Sequence, residues 1–152
     1  MTKEVLITIS GMQLGPNTDN DITELIISGS YYKKRDKHYL VYEEVDADGA
    51  GATKNLVKFD DKTFSITKSG TSNVNMVFEE NKKNITNYIL PFGSLVIGVD
   101  TRKFNITETE DEISIHIDYS LDINYEPFAN CTIQMSIKSK TENAVSLEGK
   151  QI

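Results

Sequence analysis

The chain has one cysteine, Cys131, in 152 residues. That excludes an internal disulfide framework and fits a reducing compartment. No apolar run approaches ~18 residues, which excludes a membrane-spanning helix. The N-terminal stretch Val5-Leu6-Ile7-Thr8-Ile9 is too short and too alternating for a signal peptide. A cytoplasmic protein that does not enter a membrane is therefore expected. Positive charge is scarce: 16 Lys and Arg stand against 23 Asp and Glu, a net charge of −7. This argues against nucleic acid as a partner unless a local basic patch does the work. Histidine is scarcer still, with only His38 and His116. No nucleophile stands beside a base, no acids or thiols have metal-ligand spacing, and Gly49 and Gly51 precede no helix start. The expectation is a protein that is not an enzyme and uses no cofactor or metal.

What the chain does have is period-two alternation. Ile113, Ile115, Ile117, Tyr119 and Leu121 alternate with Ser114, His116, Asp118 and Ser120. Cys131, Ile133, Met135 and Ile137 do the same against Thr132, Gln134, Ser136 and Lys138. Each pattern is a half-buried antiparallel strand, apolar inward and polar outward. Val74, Met76 and Phe78 form another such face, and Val5, Ile7 and Ile9 another. The stretch Tyr88 to Asp100 reads as two strands about a bend at Phe92-Gly93, with Pro91 and Gly93 in structural roles. Further strands are predicted over Lys3–Gln13, Ile22–Lys33, His38–Val45, Thr53–Asp60, Thr63–Ser69 and Thr101–Thr109. Residues Ile22 to Ile27 also admit a short helix capped by Thr18-Asp19-Asn20-Asp21. Polar clusters at Gly15–Asp21, Lys33–Lys37 and Asp46–Ala52 read as loops or turns. About nine to eleven short strands without helical crossovers predict one antiparallel barrel or sandwich. The domain is expected to span residues 1–140, followed by a C-terminal tail over 141–152.

The run Phe64 to Gly70, then Met76-Val77-Phe78, Tyr88 through Phe92-Gly93 to Thr101, and Tyr119-Ser120-Leu121 resembles the YwiB-like family. These are small uncharacterised bacterial proteins, and the resemblance covers roughly residues 5 to 138. Lys68 replaces a more usual Arg, and Leu90-Pro91-Phe92 replaces a Thr-Pro before the bend glycine. The resemblance implies an all-β fold, a single antiparallel, calycin- and lipocalin-like β-barrel, and implies no activity. Such barrels often hold small apolar ligands. The chain has no Trp, so the Gly-x-Trp signature of secreted lipocalins is missing.

The first functional expectation is thus a non-enzymatic binding module for a small, partly apolar ligand. Its walls are expected from Tyr31, Tyr42, Met76, Phe78, Tyr88, Phe92 and Tyr119. The alternative is a protein-interaction or assembly module, a homodimer included, because the strand from Tyr39 to Val45 is apolar on both faces. The third reading is nucleic-acid binding, where Lys33, Lys34, Arg35 and Lys37 lie beside Tyr31, Tyr32 and Tyr39. Glu43, Glu44, Asp46 and Asp48 read as a flexible acidic turn, since no bidentate acid closes a calcium loop. His116 and Asp118 share an outward face, and Cys131 reads as a buried, inert thiol.

Overall fold

A computed structural model of the chain describes residues 1–11, 24–45, 49, 51–71 and 73–140. The described residues form ten strands and no helix. They are β1 (Glu4–Ser10), β2 (Glu24–Lys34), β3 (Lys37–Val45), β4 (Ala52–Phe59) and β5 (Thr63–Gly70). Then come β6 (Val74–Glu79), β7 (Lys82–Leu90), β8 (Gly93–Glu108), β9 (Glu112–Ile123) and β10 (Glu126–Ser139). All ladders are antiparallel, and the sheet order is β6-β5-β4-β3-β2-β1-β10-β9-β8-β7. Consecutive strands lie side by side, and β1 pairs with β10 through Val5–Ser139 and Ile9–Met135.

The two ends of this order, β6 and β7, almost close the barrel. Asn73 and Ile89 exchange both backbone hydrogen bonds, at 2.9 and 2.8 Å. Between that bridge and the turn at Glu80-Asn81 no ladder joins the two strands among the described residues. The Asn84 amide instead donates to the Val77 carbonyl at 3.1 Å. The wall is a nearly closed antiparallel β-barrel with one slit.

Alternation puts one residue in two inside. Val5, Ile7 and Ile9 of β1, Ile113 to Leu121 of β9 and Cys131 to Ile137 of β10 are buried in a single core. Side chains, not solvent, fill the central row. His38 stacks on Phe59 with ring centres 4.6 Å apart, and Phe59 lies 6.1 Å from Phe64. Phe64 meets Phe78 edge-on at 5.8 Å, and Phe78 meets Tyr119 edge-on at 5.0 Å. Phe64, Phe78 and Tyr119 have no exposed surface.

Two expectations change. The stretches Ser94–Asp100 and Thr101–Thr109 are one strand, β8, because a bulge between Thr101 and Lys103 inserts an extra residue without ending the ladder to β9. The bulge switches the inward phase from Val99 and Thr101 to Phe104. Leu25 to Ile27 is strand, paired with β1, as predicted for Ile22–Lys33, and the alternative of a short helix falls away there. Strand β1 ends at Ser10 and Gly11 lies beyond it; Gln13 lies outside the described residues. The loop Gly15–Asp21, the residues Ile22, Asp46, Asp48 and Ser72, and the tail 141–152 lie outside the described residues.

Candidate functional site

The ends of β2, β3 and β8 meet at one mouth of the barrel. His38 belongs to the inward phase of β3 with Leu40 and Tyr42, and only 5% of it is exposed. Its Nδ1 lies 2.7 Å from the Tyr31 hydroxyl. Its Nε2 lies 3.7 Å from a Glu108 carboxylate oxygen. The carboxylate draws the ring proton to Nε2, so Nδ1 accepts from the tyrosine O–H. The other Glu108 oxygen is 3.7 Å from the Lys33 ammonium. Tyrosine, imidazole, carboxylate and ammonium thus form a chain across the mouth.

Burial sets the protonation of this chain. It lowers the His38 pKa below the usual 6.5, against the upward pull of Glu108 and Asp60 and with the help of Lys33. Burial, then Glu108, raises the Tyr31 pKa. Both groups are neutral near pH 7. A histidine with a depressed native pKa contributes stability above its unfolded pKa and loses it as pH falls. Urea denaturation of the wild type should therefore show stability dropping below about pH 6.5. The variant His38→Asn should lack that component; an equal drop in both would place its origin elsewhere.

Above the chain lies a cleft of about 700 Å³. Its walls are Tyr31, Tyr32 and Met1, and its cations are Lys3 and Lys33, with Glu108 at one side. Lys3 makes no ion pair among the described residues. The arrangement offers an apolar wall, fixed by the buried Tyr31–His38 bond, and positive charge at the rim. It suits a small molecule with an apolar body and one acidic group.

Of the seven residues expected to line a pocket, the structure brings only Tyr31 to this cleft. Tyr42, Met76, Phe78 and Tyr119 belong to the packed core, and Tyr88 is half-buried against it. Phe92 projects from the β7–β8 turn with 82% of its surface exposed. Sequence reasoning missed His38 and Glu108. The signal for His38 was its phase with Leu40 and Tyr42; nothing local marked Glu108, which arrives from a strand seventy residues on.

The remaining candidates fall elsewhere. His116 and Asp118 do share the outer face, 3.1 Å apart. The Asp118 carboxylate also accepts from Thr132 at 2.7 Å, and Gln134 bonds the other His116 nitrogen at 2.6 Å. First Thr132, then His116 and Lys103, hold Asp118 below the usual carboxylate range despite slight desolvation. The hydroxyls and amides around the pair leave it in a surface network. Cys131 is buried, and burial pushes its thiol up, against a hydrogen bond with Tyr119. Strand β3 lies between β2 and β4, and its outer face shows Val41 beside Leu56. Among the described residues no group of three or more His, Cys, Asp or Glu could hold a metal ion.

At the opposite end a second polar group faces inward. Lys68 donates to Glu44 at 3.0 Å and to Asn55 at 2.7 Å, and Asn55 donates to Glu44 at 2.9 Å. Register places Tyr42, Asn55 and Lys68 in one row.

A family model described as "Domain of unknown function (DUF1934)" matches residues 7–135. The chain is 29% identical over 137 residues to the "Uncharacterized beta-barrel protein YwiB" of Bacillus subtilis (strain 168), covering 88% of this chain and 94% of that protein. The crystal structure of the ywiB protein from Bacillus subtilis superposes with a TM-score of 0.74 at 20% identity, over 91% of this chain and 93% of that one. At that identity the structural likeness speaks for the fold.

Proposed function

This chain belongs to the DUF1934 family of uncharacterised β-barrel proteins, and since membership brings no activity with it, we propose a role from the mouth cleft. The protein is a non-enzymatic binding module for a small, partly apolar molecule with one acidic group. The observation that carries this reading is the buried His38–Tyr31 pair under an open, cation-rimmed cleft. Tyr31 lines the cleft while its hydroxyl is held by the buried imidazole, which fixes the position of that aromatic wall. The acidic group engages Lys3 and competes with Glu108 for Lys33, while Tyr31 and Tyr32 cover the apolar body. A ligand at the mouth also agrees with the resemblance to calycin-like barrels, although the interior here is filled.

Native mass spectrometry on protein purified gently from its own host tests this, against the denatured mass. A stoichiometric adduct lost on denaturation is expected, and Lys33→Glu should come out without it. A clean mass for the unmodified protein overturns the reading.

A further inference from the structure

A second groove opens on the other side of the β2–β3 hairpin, about 730 Å³ in volume. It is bounded by that hairpin tip and the β4–β5 turn. Five cations meet there: Lys34, Arg35, Lys37, Lys58 and Lys62. The acids among them are Asp36, Asp60 and Asp61. Asp60 is committed to its own turn. Its Oδ1 accepts from the Lys62 and Thr63 amides at 2.9 Å, and its Oδ2 pairs with Lys37 at 3.3 Å. Lys34, Arg35, Lys58 and Lys62 make no ion pair among the described residues. With Lys3 and Lys33 of the neighbouring cleft, seven of the 16 Lys and Arg of an acidic chain gather at this hairpin.

The cations flank an aromatic platform. Tyr32 and Tyr39 pair across the hairpin and stack in parallel, with centres 4.9 Å apart. The Lys58 ammonium sits 5.7 Å over the Tyr39 ring. Tyr32 keeps about half its surface, 49%, exposed. A flat aromatic face beside unneutralised cations matches what an unpaired base and its phosphates need. One backbone feature agrees. Arg35 sits in the left-handed region, φ 60°, in a two-residue turn where Gly or Asn is the unstrained choice. A strained arginine at the tip keeps a fifth cation where a glycine would fold more easily.

We propose that single-stranded nucleic acid binds at this hairpin, with phosphates in the groove on Lys34, Arg35, Lys58 and Lys62 and a base stacked on the face of Tyr32 that Tyr39 leaves free, toward the neighbouring cleft. The net charge of −7 keeps the attraction local, so binding is weak and salt-sensitive. Four phosphate contacts give a slope of about −3 in log K against log salt, roughly a fifty-fold loss between about 50 and 200 mM. The probe is a fluorescein-labelled, mixed-sequence oligonucleotide of about twelve nucleotides, single-stranded or annealed, read by anisotropy. The single strand should bind saturably at low salt with that slope, and more tightly than the duplex. Lys58→Glu with Lys62→Glu should weaken it at least about tenfold. Arg35→Gly should weaken it several-fold while leaving the melting temperature unchanged or higher, which separates binding from folding. The proposal is overturned by absence of saturable binding at low salt, by duplex binding as tight as single strand, or by full affinity in the charge-reversed variant.

Discussion

Phe64→Ala should lower the unfolding free energy by about 3–5 kcal/mol. Phe64 has no exposed surface and stands in the middle of the row His38, Phe59, Phe64, Phe78 and Tyr119. Its partners come from β4 and β6, and its own strand β5 is pinned by ladders to both of them, so truncation leaves a void in the wall. Such a wall relaxes little, which places the expected loss in the upper part of the range for cavity formation. Equilibrium urea denaturation gives the number, with Phe92→Ala as the control. Phe92 is 82% exposed and should cost close to nothing. A loss under about 1 kcal/mol for Phe64→Ala would mean that solvent already reaches the middle of the barrel, and that the interior is a cavity rather than a core.

Lys68→Met should cost about 2–3 kcal/mol, for a different reason. The ammonium is the donor that holds Glu44 and Asn55 together inside the upper wall. Removing it leaves a part-buried carboxylate with the Asn55 amide as its remaining partner among the described residues. About a third of the Glu44 side chain reaches water, which keeps the effect at the low end for a broken buried pair. The pair itself need not stabilise the fold, because two desolvated charges roughly offset their attraction. The double variant Glu44→Gln with Lys68→Met should therefore recover most of the loss. If the double variant is as unstable as the sum of the single ones, Glu44 and Lys68 are not coupled.

Much of the barrel was legible because period two is a strong signal wherever both neighbours in the sheet are long. Strand β9, and β10 from Cys131 to Ile137, show it without interruption, and their buried residues are those the alternation picked out. The bulge in β8 broke the period, so one strand read as two. The candidate site was legible only in part. Tyr31 and Lys33 stood in stretches that drew attention for aromatics and charge. His38 was in plain phase with Leu40 and Tyr42, yet a polar residue at the start of a strand reads as surface by default. Glu44 and Lys68 carried charge into an inward phase; Glu44 read as part of an acidic turn, and Lys68 as one residue of the strand Thr63–Ser69. Their partnership is made by sheet register, which no local pattern contains.

The slit between β6 and β7 also bears on how the chain folds. Eight of the nine ladders join strands that are neighbours in sequence, and each can zip from its own turn. Because β6 and β7 share a turn but no ladder, the barrel is built from two meanders, β1 to β6 and β7 to β10. Among the described residues the only ladder that unites them is β1 with β10, whose paired residues Val5 and Ser139 lie near opposite ends of the described chain. That one encounter is the longest-range loop closure in the fold. The rate at which the barrel forms then depends less on its hairpins than on the first strand finding the last.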